Sequence, residues 1–177
     1  VAATFAEFGY RRTTTAQLAE RCGVQETILY RLWPDKRRMF VAAIGYVAQN
    51  SEAIWARELA RREDAKSTAE AVLDYEADHL GEFGLYRILF AGLSETDDEE
   101  IRNALRAAYR SFHAFVEARI EEHRTARTTR GLPAPALAAW GMLGLGTAAN
   151  LGRELGLLSA KERAALMRSV GAWLLGS

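Results

Sequence analysis

At several places along the chain a Ser or Thr is followed three residues later by Glu or Gln, among them Thr14/Gln17, Ser67/Glu70, Thr96/Glu99 and Ser159/Glu162. At this spacing the hydroxyl accepts from a free amide of a first helical turn and the longer side chain reaches back to the cap's own amide. Each pair therefore marks a helix start. No run of alternating β-branched residues lies between turn signals, so the expected fold class is all-α. The implied helices are a short one ending at Gly9, two more at about 15–22 and 26–32, and a long one from Asp35 to Arg61. Others follow near 67–81, 83–94, 97–126, 134–156 and 160–175. Ile101, Leu105, Ala108, Phe112 and Phe115 keep a three-four rhythm, as do Leu166, Val170, Trp173 and Leu174, and both sets read as core faces. The stretch from Arg124 to Arg130, closed by Gly131, reads as a frayed helix end and exposed loop.

A chain of 177 residues can bury a substantial core, so no disulfide scaffold is needed, and the single Cys22 has no partner in the chain. That composition suits a reducing compartment, and the cytoplasm is the expected location. The 23 basic and 23 acidic residues cancel, but residues 1–40 hold seven basic residues against four acidic, an excess of three. Residues 131–152 carry no charge and reach membrane-spanning length. Pro133, Pro135, four glycines from Gly141 to Gly152, Thr147 and Asn150 make that segment a tightly packed helix instead, and no membrane partner is expected.

Between Thr15 and Leu32 two short helices must cross through a brief turn. Ala19 is small where they approach, and Gly23 supplies a left-handed backbone at the turn. Leu18, Cys22, Val24, Leu29 and Leu32 form the expected apolar seam. Gln25, Glu26, Thr27, Tyr30 and Arg31 are left pointing outward, as hydrogen-bonding groups on a helix that could enter a major groove. An ordinary helical hairpin satisfies the same spacing.

The run Ala3-Thr4-Phe5-Ala6-Glu7-Phe8-Gly9-Tyr10, with Thr13-Thr14, Leu18-Ala19, Cys22-Gly23-Val24, Leu29-Tyr30 and Trp33-Pro34-Asp35-Lys36, resembles the TetR family of bacterial transcriptional regulators. The likeness covers about the first 45 residues. It implies a three-helix DNA-binding domain with a helix-turn-helix over residues 1–45, and a larger helical domain for effector binding and dimerisation over 46–177. It also implies repression of a palindromic operator, relieved when a small molecule alters the spacing of two reading heads. By motif, Thr13, Thr14, Tyr30 and Lys36 fall where the family touches phosphate. Gln25, Glu26, Thr27 and Arg31 fall on the reading helix as candidates for base contact. Gln25 replaces the usual serine cap, Thr27 a frequent glycine and Ile28 a frequent threonine.

Aromatic residues from several helices, Trp55, Tyr75, Phe83, Tyr86, Phe90, Tyr109, Phe112 and Trp140, supply walls for an apolar effector pocket, with His79, His113 and Asn150 as polar handles. Aromatics at helical spacing also serve as plain core. The effector expected of such walls is hydrophobic or amphipathic, and neither a cofactor nor a metal is expected. Gly144-Leu145-Gly146-Thr147-Ala148-Ala149 fits a loose dinucleotide-binding pattern, but it lies in an expected helix with no strand before it. The four-residue recurrence of Gly144, Ala148 and Gly152 instead makes a shallow face for another helix. With the stripe of Leu166, Val170, Trp173 and Leu174, and by the family resemblance, the expected partner is the last two helices of a second subunit in a homodimer, and packing inside one subunit is the alternative. Two alternatives stand beside this reading. One is a helical enzyme or metabolite carrier, although no Ser/His/Asp set or phosphate loop has suitable context. The other is an architectural protein that binds DNA without an effector.

Overall fold

The computed structural model describes residues 1–61, 67–127 and 132–176, and among these there are helices and no strands. The helices are α1 (Ala2–Arg12), α2 (Thr15–Cys22), α3 (Glu26–Leu32), α4 (Lys36–Ala60), α5 (Thr68–His79), α6 (Tyr86–Leu93), α7 (Glu99–Arg127), α8 (Pro135–Glu154) and α9 (Ala160–Leu175). Three of the four expected capping boxes are complete, at Thr14/Gln17, Ser67/Glu70 and Ser159/Glu162. The fourth is not. Asp98 starts α7, its Oδ1 accepting from the amides of Glu100 at 2.9 Å and Ile101 at 3.1 Å, while the Thr96 hydroxyl turns back to the Leu93 carbonyl. A carboxylate caps a helix start at least as well as a hydroxyl, and these amides hold the Asp98 carboxyl below its usual range. The first helix also runs past its expected end. Gly9 takes a positive φ of 74° inside α1, where the chain kinks and then resumes helical form to Arg12.

The chain forms two compact units. One comprises residues 1–51 and 83–110. Its centre is Phe5, Tyr10 and Phe40, with Phe5 edge-on to Phe40 at 5.0 Å and Tyr10 4.8 Å from Phe40. Leu18, Leu29, Met39 and Ile44 bury fully or nearly so in the same unit. Replacing an aromatic such as Phe5 with Ala at such a site costs about 3–5 kcal/mol. Glycine allows close packing further along, because a Cβ on Gly92 of α6 would stand 3.0 Å from a Leu105 methyl of α7.

The other unit comprises residues 52–82 and 111–177. Small residues let its helices approach: Ala69, Ala77, Ala138, Ala139 and Ala149 interleave with Leu73, Ile120, Leu145, Met167 and Leu175. At Gly171 a Cβ would lie 2.4 Å from a Leu73 methyl, so α9 meets α5 at a point that no side chain could occupy unchanged. Arg124 is not part of a frayed end. It is half-buried in α7, donating to the carbonyls of Leu174 at 2.6 Å and Leu175 at 3.3 Å, and so it satisfies the last turn of α9 with a cation where the helix dipole favours one. The remainder of that expected loop, residues 128–131, lies outside the described residues.

His123 is buried in this unit with its Nδ1 2.6 Å from the Ser67 hydroxyl that caps α5. Burial, then the charges of Arg127 and Arg124, hold its pKa below the usual value, and Glu70 opposes them in part. A histidine kept neutral in the fold favours the unfolded chain once protons bind there. Its contribution is therefore fully present above about pH 6.5 and is lost as the pH falls from there to the lower folded value. Thermal unfolding of the wild type is expected to fall more steeply between pH 7.5 and 5 than that of His123→Asn. Equal slopes would show that His123 does not set this dependence.

Candidate nucleic-acid interface

Thr14 caps α2, its hydroxyl accepting from the Gln17 amide at 3.2 Å while the Gln17 side chain accepts from the Thr14 amide at 2.9 Å. The helix closes at Gly23, where φ is +65°. The Gly23 amide donates to the Glu20 carbonyl and that of Val24 to the Ala19 carbonyl, both at 3.0 Å. Gln25 then begins α3 without a side-chain cap bond. Leu18, Ala19 and Leu29 are buried as expected of a helix-turn-helix seam. Cys22, Val24 and Leu32 are not, which corrects the expected seam: Cys22 is exposed, and so are Val24 and Leu32, the latter at 65%. Of the seven residues in α3, Leu29 alone is buried and Glu26 is half-buried, and the other five are exposed.

The residues expected at DNA fall into three groups. Gln25 is exposed just before α3 and Thr27, Tyr30 and Arg31 are exposed on it, Thr14 is exposed at the start of α2, and Glu26 is half-buried in the first turn of α3, where a carboxylate suits the dipole. The Tyr30 hydroxyl donates to that of Thr15 at 3.2 Å, so two hydroxyls sit together at the α2–α3 crossing. Thr15 was not among the expected residues, because its hydroxyl acquires meaning only beside Tyr30. Thr13 must be corrected. Its side chain is fully buried and donates to the Gly9 carbonyl at 2.6 Å, leaving no hydroxyl at the surface. Lys36 is half-buried, its Nζ donating to the carbonyls of Tyr10 and Thr13 at 3.1 Å each and lying over the Tyr10 ring. An ammonium has three donors, so one remains for another acceptor.

The basic excess of residues 1–40 is mostly engaged within the fold. Arg11 pairs with Glu95 at 2.7 Å, Arg37 with Glu100 at 3.1 Å and Arg38 with Glu100 at 2.8 Å, while Arg21 grips Glu7. Arg12 donates to the Phe8 carbonyl at 3.1 Å. Among the described residues Arg31 alone of the seven has no ionic or hydrogen-bonding partner.

The matching segment now identifies this geometry. Residues 2–43 fit the pattern described as bacterial regulatory proteins, tetR family. The N-terminal domain is that of the tetR family. A nucleoid occlusion factor SlmA from Vibrio campbellii is 41% identical over 64 residues, which are 36% of this chain and 31% of that protein. One from Haemophilus influenzae is 49% identical over 41 residues, 23% of this chain and 19% of its own. The chain thus aligns with less than a third of these relatives' length. Beyond the tetR domain the likeness is one of fold. A TetR-family regulator from Cytophaga hutchinsonii superposes with a TM-score of 0.79 at 18% identity, covering 99% of this chain and 89% of its own. The FadR regulator from Bacillus subtilis, solved with stearoyl-CoA, gives 0.72 at 14% identity, covering 98% and 93%.

The residues expected to line an effector pocket are scattered between exposure and burial. Trp55, Tyr86 and Phe112 are buried, and Tyr75, Phe90, Tyr109 and His113 are half-buried. Trp55 stacks on Phe115 at 4.7 Å and donates from Nε1 to the Glu76 carboxylate at 2.5 Å, while burial raises the Glu76 pKa. Phe83, Trp140 and His79 are exposed, with His79 stacked on Tyr75 and its Nδ1 2.9 Å from the Tyr75 carbonyl. Asn150 is buried, and its Oδ1 has no hydrogen-bond partner among the described residues. A separate cavity of about 430 Å³ in the tetR domain's unit is lined by residues such as Trp33, Met39, Tyr46 and Leu85, none of them among those eleven. No helix of the described residues is long and apolar enough to cross a membrane.

On α8, Leu137, Trp140, Gly144, Ala148 and Leu151 are exposed along one side, with Leu155 just past its end and Val170 and Trp173 of α9 also exposed. Three residues expected on that face lie elsewhere. Gly152 is buried against Leu158, Leu174 packs where a Cβ on Gly141 would be, and Leu166 rests on the core of its own unit. The last two follow from α9 being needed to close that core.

Proposed function

We propose that the protein is a ligand-responsive transcriptional repressor that binds a near-palindromic operator as a homodimer and is released by a hydrophobic or amphipathic effector. The observation that carries this reading is Arg31, an unpartnered cation on the outward side of α3, beside exposed Thr27 and Gln25. An arginine in that position can take guanine O6 and N7 together, and a glutamine can pair with adenine. Thr14, Tyr30, Thr15 and the third donor of Lys36 hold phosphate, fixing α3 in the groove without reading sequence. Glu26 and Thr27 complete the base-facing set.

The reading head is taken as residues 1–45, in keeping with a family match that ends at residue 43, and effector binding and dimerisation as 46–177. Trp55, Tyr75, Phe112 and His113 are the effector contacts favoured by their burial, with Asn150 supplying an unpaired acceptor. FadR, of the same fold, holds an acyl-CoA, which supports an amphipathic effector. The exposed apolar face of α8 and α9 is the dimer surface.

The test is to select bound fragments from sheared genomic DNA with the purified chain, then to screen amphipathic compounds for release of the selected fragment. Enrichment of one near-palindrome and its release by a compound are expected. Equal retention of all fragments favours the architectural reading, and binding that no compound alters removes the effector.

A further inference from the structure

Three aliphatic side chains lie exposed on the reading element at four-residue spacing: Val24 at 37%, Ile28 at 38% and Leu32 at 65%. Successive residues of a helix turn by about 100°, so with Leu29 inward, Thr27 and Arg31 project away from the core. Ile28 stands beside them, about a quarter turn round, and Tyr30 takes the other flank, where its hydroxyl meets Thr15 of α2. The α2 side of α3 is thus polar and suited to phosphate, and the opposite side is aliphatic.

An aliphatic group set against a phosphate would strip water from an oxyanion and return no hydrogen bond. In the major groove the one aliphatic group that bases offer is the 5-methyl of thymine. Val24 precedes α3 and Leu32 is its last residue, whereas Ile28 lies in the first turn, the part of a reading helix that reaches base edges. Resting on the assignment of α3 as the groove helix, we propose that Ile28 reads a thymine methyl next to the base taken by Arg31 and is a specificity-determining residue.

The experiment starts with selection from a randomised duplex library by the full chain. Each thymine of the best duplex is then replaced singly by deoxyuridine, which removes only the methyl. At one position in each half-site this is expected to weaken wild-type binding about fourfold, the effect of one methyl returned to water. Ile28→Ala should weaken binding to the thymine duplex by a similar factor, lose all sensitivity to deoxyuridine there, and bind random duplex as the wild type does. A wild type insensitive at every thymine, or an Ile28→Ala variant as sensitive as the wild type, overturns the proposal while leaving α3 as the groove helix. A selection that yields no preferred sequence overturns that assignment, and this proposal with it.

Discussion

Gly144→Trp and Ala148→Trp are expected to convert the protein from dimer to monomer and to lower its operator affinity by about a hundredfold or more, because two linked heads bind 10²–10⁴ times more tightly than one. Both positions are exposed on α8, and a Cβ at Gly144 would meet no atom within 4 Å, so the indole has room in the subunit itself. The added bulk can be felt only by what covers this face. Trp140 at 53% exposure and Trp173 at 62%, with Leu137, Leu151 and Leu155, form an apolar surface larger than scattered single residues would give. On the proposed reading a two-fold axis through it would pair α8 and α9 with their copies as a four-helix bundle. Light scattering reads the mass, and titration against the full operator and a half-site reads the affinity. A wild-type monomer at micromolar concentration, or dimers in both folded variants, places the interface elsewhere. Gly152→Ala is the contrast, since its Cβ would collide with Leu158 inside the subunit, and it should lower stability while leaving the dimer intact.

That contrast shows where sequence reasoning reaches its limit. The four-residue recurrence of Gly144, Ala148 and Gly152 suggested one face, but a helix turns by 3.6 residues, and by the third member the stripe has rotated toward Leu158. Helix starts were legible because caps are local chemistry: Thr14, Ser67 and Ser159 each meet their partner three residues away. The start of α7 was misread because Thr96 and Asp98 both lie near it, and local spacing could not choose between them. The α2–turn–α3 motif was legible in Ala19 and Gly23, where sterics leave few choices. The engagement of Arg11 by Glu95 was not, because it joins residues 84 apart. For the same reason the basic excess of the first forty residues overstated what is free to meet DNA. The burial of Thr13 was hidden by a family motif that marks a position and says nothing of where its hydroxyl points.

Arg31→Ala is expected to cost about 1–3 kcal/mol on the operator and almost nothing on random duplex, whereas Lys36→Ala and Tyr30→Phe should weaken both by similar factors. The difference follows from what each side chain can reach. Arg31 projects from α3 opposite buried Leu29 with its guanidinium uncommitted, so on the proposed reading its hydrogen bonds would go to a base edge and their loss would depend on which base is there. Tyr30 and Lys36 sit at the margins of the motif, the first beside Thr15 and the second at the end of α1. A phosphate looks the same to them at every step of the duplex. Lys36 carries a second effect, because its ammonium also satisfies the Tyr10 and Thr13 carbonyls, and removing two charge-assisted bonds at a half-buried site lowers stability by about 2 kcal/mol. Thermal unfolding measures that loss, and the salt dependence of binding separates it from the phosphate contact. Losing one phosphate contact lowers the slope of log affinity against log salt by about one, whereas a purely structural defect lowers affinity and leaves the slope unchanged. An unchanged slope in Lys36→Ala would confine Lys36 to bracing α1. Equal losses on operator and random duplex in Arg31→Ala would move Arg31 from the bases to the backbone, and with it the register of α3 in the groove.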